Sequence, residues 1–482
     1  MKTREDRERE NSVRIASERL DRALNPRTVA VVGDKAASDY MWLRNMSTFQ
    51  GDVYSVQIDP NDVPGIEAMG IPNYPSLMDV PKDVDYVVVA VPRRVAPIVL
   101  KDCIQKNVAG VGMFTSGFAE TGNPEAVELQ ETITRMARDA GLVLLGPNCM
   151  GLYNPALGVR FSREQAAGEG GPVTFVSQSG GHAGAFSLAA HANGIGINKV
   201  VSFGNGVVLE SVDYLEYFSQ DAETQFIAMY IEGVRDGRRL FELLREITPK
   251  KPVIIWKGGQ TAEGKRATSS HTGSLAESMD TWEVLIRQCG AIRVDSMIEL
   301  SDVLKALVSL PKFTGDGVGL TGGSGGQSVS MTDAFVKSGL RVPMFSQESL
   351  DKLGEFFQVI GASYLNPVDI GGMNRDMTES IVDILNADPN IHVVAMQLST
   401  QAYARSPKQI DDLIAAQVSA RDKTQKPVVT ILFSPDPYGD GHTLKDLDLK
   451  LQEAGMPSYP TYERAALALK KLVDYYRFHE GA

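Results

Sequence analysis

Short runs of β-branched and other apolar residues alternate along the chain with turns and with segments of helical spacing. From Thr28 to Asn148 the runs are Thr28 to Val32, Val53 to Ile58, Tyr86 to Val91, Gly110 to Phe114 and Leu142 to Leu145. They are apolar throughout instead of alternating, as strands are when helices cover both faces of a parallel sheet. Right-handed crossovers place a helix over each strand pair, so residues 1–150 are expected to form a Rossmann-like domain. Ahead of the first strand, Ser12 to Leu24 has the spacing of a short amphipathic helix, which Asn25-Pro26 ends.

After a loop rich in Gly and Glu, Ala166 to Gly171, a second series begins with Val173 to Val176 and Ser177-Gln178-Ser179-Gly180-Gly181. It continues through Val200 to Phe203, Phe226 to Ile231 and Pro252 to Trp256, and is assigned to residues 151–308. A third series, in residues 309–482, opens at Val318-Gly319-Leu320 and runs into Thr321-Gly322-Gly323-Ser324-Gly325-Gly326, then Val393 to Leu398 and Pro427 to Phe433. The last two series share a pattern: Ala228-Met229 matches Ala395-Met396, and Lys251-Pro252-Val253 matches Lys426-Pro427-Val428. Either a flavodoxin-like unit is duplicated, or two α/β units obey the same packing rules.

Composition narrows the function classes. A chain of 482 residues exceeds one hydrophobic core. No apolar run is long enough to span a bilayer, so no membrane association is expected. Met1 to Asn11 is crowded with charge where a secretory signal needs an apolar stretch. The three cysteines, Cys103, Cys149 and Cys289, lack metal-type pairing and suit a reducing cytoplasm. A net charge of -12 argues against nucleic acid as a partner, yet leaves room for a small anion held by backbone amides.

Candidate chemistry gathers at strand ends. Gly33 opens a strand-to-helix turn, but a dinucleotide fingerprint needs three spaced glycines and this loop has one. Pro92, then Ser116, Gly117 and Phe118, then Pro147 and Asn148, follow later strands of the same sheet and face the usual binding edge of an open α/β fold. Ser177, Gln178, Ser179, Gly180 and Gly181 form a turn whose amides and helix dipole suit phosphate; the turn at Thr321 to Gly326 fits phosphate or a purely steric need for Gly. Gly259 to Arg266 has P-loop spacing, but Arg266 stands where a hydroxyl should reach magnesium.

Among six histidines, His271 is set apart by Ser269-Ser270-His271-Thr272-Gly273-Ser274, an open, hydroxyl-rich loop on which an imidazole can accept and deliver a phosphoryl group; a solvated loop histidine is the other reading. His182 follows the phosphate-type turn and can contact a ligand or simply occupy a first helical turn. Glu232, at a strand end, is either a helix cap or exposed terminus, or a carboxylate that holds the other N–H of an imidazole.

Taken together, Ser269 to Ala276, Glu232-Gly233 with Arg235-Asp236-Gly237-Arg238, Gly146-Pro147-Asn148-Cys149, Ser177 to Gly180 and Asn366-Pro367-Val368-Asp369 resemble the NDP-forming acyl-CoA synthetases. The likeness is to the α subunit of the ADP-forming acetyl-CoA synthetases and, more distantly, to succinyl-CoA synthetase α, over nearly the whole chain. It implies an α/β protein: a Rossmann-like CoA-binding domain followed by two flavodoxin-like domains. It implies that His271 is phosphorylated and Glu232 stabilises it, that Ser177 to Gly181 with Asn205 hold phosphate and acyl phosphate, and that Gly33, Pro92, Ser116 to Phe118, Pro147 and Asn148 lie along coenzyme A. ATP or ADP with magnesium would sit on a separate ATP-grasp β subunit, with a small carboxylic acid, CoA and phosphate as the other partners.

Two features depart from the pattern. Asp34, followed by Tyr40, Met41 and Trp42, crowds the first loop and would repel CoA phosphates if turned inward, and Arg160-Phe161 points to an acid with a second anionic group. The rival class is a non-catalytic CoA-binding or regulatory protein of the same fold, against which the pairing of His271 with Glu232 speaks.

Overall fold

The computed structural model describes residues 17–272, 278–323, 325–357, 364–369 and 375–481. The expected helix over Ser12 to Leu24 is described from Ser17 to Leu24; its first residues lie outside that range, as does Ser324 of the second glycine turn. The chain divides into two compact units, Met1–Met297 and Ile298–Ala482.

Two sheets lie in the first unit. One contains β1 (Thr28–Val32), β2 (Asp52–Val56), β3 (Asn73–Tyr74), β4 (Tyr86–Val89), β5 (Gly110–Met113) and β6 (Val143–Leu145), in the order β3-β2-β1-β4-β5-β6. Every pair is parallel, and the order reverses between β1 and β4. That switch point opens a crevice at the carboxyl ends of the strands. Below the crevice, in the core between sheet and helices, Ala30, Val32, Val87, Val89, Val111, Met113 and Leu144 pack with Leu100, Ile133 and Ala137 of the covering helices. Full burial of each larger side chain contributes about 1.5–3 kcal/mol.

The other sheet holds β7 (Gly151–Tyr153), β8 (Val173–Ser177), β9 (Ile197–Ser202), β10 (Phe226–Ile231), β11 (Val253–Lys257) and β12 (Ile292–Val294), in the order β12-β11-β10-β8-β9-β7. It is parallel except at β7, an antiparallel edge strand on β9. The buried Tyr86 of β4 joins the two sheets: a Cβ on Gly112 would lie 2.0 Å from its hydroxyl, and one on Gly151 would lie 2.5 Å away. Only glycine fits at either position.

The second unit carries β13 (Val318–Thr321), β14 (Val393–Ser399), β15 (Val428–Phe433) and β16 (Ser458–Tyr459), all parallel and in sequence order. Among the described residues no helix is long and apolar enough to cross a membrane.

Candidate active site

The turn after β8 is shaped by its side chains. Ser177 Oγ donates to Ser179 O at 2.7 Å, and Gln178 Oε1 accepts the amides of Glu232 and Gly233 at 2.8 and 3.3 Å. Ser179 caps the helix Gly180–Ala192, its hydroxyl accepting the amide of His182 at 3.3 Å. A helix leaves its first amides without internal partners. With that of His182 taken by the cap, the amides of Gly180 and Gly181 stand at the positive end of the helix, a seat for an anion. A Cβ on Gly180 would fall 2.9 Å from Met150 Cγ, so the turn rests directly on the segment that follows Asn148.

Across from this turn, Glu232 follows the last residue of β10 and is 5% exposed. It is neither an exposed strand end nor a helix cap, for the next helix, Gly237–Ile247, is capped by Asp236. Tyr230 Oη donates to Glu232 Oε1 at 3.2 Å, and the buried Lys257 ammonium donates to Glu232 O at 2.7 Å and Gly258 O at 2.6 Å. The ring of His182 lies 4.5 Å from those of both Tyr230 and Trp256. Burial lowers the His182 pKa, and the Glu232 charge opposes that shift in part.

The expected loop around His271 is a helix up to Thr272. Ala262–Thr272 follows β11 through a turn at Gly259 (φ +71°), and Thr268 is buried against that glycine. The hydroxyls of this run bond within a helix as readily as in a loop; Thr268 Oγ1 donates to Gly264 O at 3.0 Å. The side chains of Ser269, Ser270, His271 and Thr272, and all of Gly273 to Ala276, lie outside the described residues. This helix comes within 8 Å, Cα to Cα, of the Ala119–Thr121 turn of the first sheet.

That turn borders the crevice. Gly33, at φ +85°, packs so tightly that a Cβ would lie 2.4 Å from Val91 Cγ1, next to Pro92. Arg93 Nη1 donates to Gly117 O at 2.5 Å, Gly117 N to Glu120 Oε1 at 2.6 Å, and Asn148 N to Thr115 O at 3.0 Å. Ser116 is exposed, but the Phe118 ring is fully buried in the core, leaving it no side-chain surface for a ligand. Asn205, expected beside the phosphate turn, turns its carboxamide to this network: Nδ2 donates to Glu120 Oε2 at 2.7 Å and Gln130 Oε1 at 2.9 Å, and Oδ1 accepts from Asn148 at 3.4 Å. Its amide also donates to Pro147 O at 3.1 Å. The structure therefore joins Ser116 to Phe118, Pro147, Asn148 and Asn205 into one connected edge, and Ser177 to Gly181 with Glu232 into a second.

Two expectations about departures are corrected. The buried Asp34 carboxylate accepts the amides of Leu43 at 2.9 Å and Lys35 at 3.1 Å, so it fastens its own loop instead of confronting a ligand; burial raises its pKa, and these donors oppose the shift. The buried Arg160 guanidinium donates to Asn45 O, Arg163 O, Gln165 O and Ser47 Oγ, which makes it a structural clasp and not a reader of substrate charge. Sequence reasoning missed Glu120, Gln130, Tyr230 and Lys257. Tyr230 had a signal, since residues two apart on a strand share a face with Glu232; Gln130 had none.

Two family descriptions match: "CoA binding domain" over residues 27–155 and "Succinyl-CoA ligase like flavodoxin domain" over residues 170–307. The chain is 33% identical over 464 residues to subunit alpha of acetate–CoA ligase (ADP-forming) I of Pyrococcus furiosus, covering 94% of this chain and 97% of that one. It is 32% identical to acetate–CoA ligase (ADP-forming) I of Archaeoglobus fulgidus over 95% of this chain, but spans only 64% of that longer protein. The solved dinucleotide-forming acetyl-coenzyme A synthetase 1 of Ca. Korarchaeum cryptofilum, in complex with phosphate and ADP, superposes with a TM-score of 0.82 at 30% identity, covering 97% of this chain and 98% of that one.

Proposed function

The chain belongs to the family of ADP-forming acetate–CoA ligases, and from that premise we propose that it is the alpha-type part of an acid–CoA ligase. A carboxylic acid, CoA and ATP are converted to acyl-CoA, ADP and phosphate, and the reverse direction makes ATP. The observation that carries this reading is the helix ending in the His271 turn: it springs from β11, beside the buried Glu232, and passes close to the Ala119–Thr121 turn at the crevice.

In this mechanism a ring nitrogen of His271 attacks the γ-phosphorus of ATP, forming a P–N bond as the P–O bond to ADP breaks. The nucleotide, with magnesium, is held by an ATP-grasp partner subunit. A carboxylate oxygen of the acid then takes the phosphoryl group, breaking the P–N bond. The CoA sulfur attacks the acyl carbon, the C–O bond to phosphate breaks, and the thiol proton passes to phosphate or solvent. Glu232 accepts the second N–H of His271 and stabilises the positive charge that develops on the ring. The amides of Gly180 and Gly181 neutralise phosphoryl oxygens, and little else is required of the protein in phosphoryl transfer.

The crevice fits CoA at its backbone. Gly33 and Gly117 hold positive φ, and the Asn148–Asn205–Glu120 network fixes the edge on which Pro92, Ser116 and Pro147 stand. The test is incubation of the chain with its partner subunit and γ-labelled ATP. Acid-labile, base-stable label that disappears in His271→Ala is expected, whereas label persisting in that variant refutes the assignment.

A further inference from the structure

His182 has no role in the mechanism above, yet its setting is that of a ligand-binding group. It stands in the first turn of the helix Gly180–Ala192. Side chains in a helix tilt toward its N-terminus, so this ring reaches back over the turn that exposes the Gly180 and Gly181 amides. Tyr230 and Trp256, register partners on β10 and β11 with rings 4.6 Å apart, form a shelf beneath it. At the end of the shelf the Tyr230 hydroxyl meets the Glu232 carboxylate. The main-chain amide of His182 is held by Ser179, whereas among the described residues no hydrogen bond engages its ring nitrogens. The ring is half-buried, so packing against the shelf leaves part of it open to a ligand.

We infer that His182 is a further phosphate ligand: its ring N–H donates to an oxygen of the phosphoryl group seated on the Gly180–Gly181 amides and positions that group beside Glu232. The inference rests on the acid–CoA ligase reading and adds a residue to it. The charged group acting on the ring is Glu232 from β10; the Lys257 ammonium, which lies over the Trp282 ring, donates to Glu232 O and Gly258 O. Burial favours the neutral imidazole, and the Glu232 charge opposes this in part. A neutral ring supplies a donor without drawing Glu232 into an ion pair and away from His271.

The test compares His182→Phe, which keeps a ring on the shelf but removes the donor, with His182→Gln, which restores one. In the complex with the partner subunit, assayed toward ATP, His182→Phe should raise KM for inorganic phosphate about tenfold, the scale of one hydrogen bond to a charged group. KM for ADP and for CoA should stay within about twofold, and His182→Gln should recover most of the loss. A readout free of turnover is Trp256 fluorescence of the full chain titrated with inorganic phosphate. The signal should vanish in Trp256→Phe and shift about tenfold to higher phosphate in His182→Phe. Unchanged phosphate affinity in His182→Phe, or a parallel rise in all three KM values, overturns the inference. The ligase reading fails on a different result, label retained by His271→Ala, and the phosphate titration judges His182 whatever that result is.

Discussion

The turns after β8 and β13 look alike in sequence and are built in opposite ways. At Ser177 to Gly181 the side chains do the holding: Ser177 Oγ and Gln178 Oε1 fasten the loop, and the glycine amides are left over for a ligand. At Thr321 to Gly323 the backbone does. Gly322 and Gly323 sit at φ +90° and +84°, and a Cβ on Gly322 would lie 2.5 Å from Gln397 O. The neighbouring side chains bond to one another there, with Gln397 Nε2 donating to Gln327 at 3.2 Å and Tyr462 Oη donating to Gln397 at 2.5 Å. A strand followed by small residues and a helix thus specifies a turn, but not its task. The task depends on what stands across from it, and the first turn faces the buried carboxylate of Glu232.

Substitutions can break this contrast. The largest effect on folding is expected for Gly322→Ala, where a left-handed φ and a backbone clash coincide; the second unit should lose about 3 kcal/mol or more. All three tryptophans, Trp42, Trp256 and Trp282, lie in the first unit. Their emission should therefore unfold at an unchanged midpoint while circular dichroism shows early loss of the second unit. Gln178→Ala should come next: two amides near a buried strand end lose their acceptor, at a cost of about 1–3 kcal/mol. Phosphoryl labelling of His271 should fall with it, since Glu232 moves with its own amide, and unaltered labelling would show that the turn and Glu232 are independent. Gly181→Ala should be the mildest. Its Cβ would meet only Ser179 Oγ at 3.9 Å and its φ is not left-handed, so the melting temperature should hold or rise slightly.

The same contrast explains what was legible beforehand. Buried parallel strands are continuous apolar runs, so β1, β4, β5, β8, β10, β14 and β15 stood out within a residue or two. The strands that escaped, β3, β7, β12 and β16, are two or three residues long and lie at sheet edges, too short for any period to register. Ser177 to Gly181 and Glu232 were legible as strand-end motifs. The helical course of the His271 segment was not, because hydroxyl residues that favour loops can also back-bond to a preceding carbonyl. Asn205 was assigned to phosphate through the family resemblance, whereas its partners Glu120 and Gln130 are far away in sequence and only the packing of two sheets brings them together.

Two histidines, one in each unit, sharpen the comparison further. Burial lowers the pKa of both His182 and His392. His392 Nδ1 accepts the Gly317 amide at 3.3 Å, and Lys426, Arg341 and Arg477 reinforce the shift while Asp316 opposes it. A base whose folded pKa is depressed takes up its proton first in the unfolded chain. Stability is therefore complete above the unfolded value of about 6.5, declines as pH falls below it, and levels off beneath the folded value. Protonating His392 also removes the acceptor for a main-chain amide, so the second unit should show the steeper loss between pH 7 and 5. His392→Asn should flatten it, as followed by circular dichroism in urea. His182→Gln should alter the acid slope of the tryptophan-reported transition only slightly, because Glu232 already offsets part of the burial. A steeper effect at His182 than at His392 would mean that His182 serves the fold, as His392 does, and not the phosphate seat.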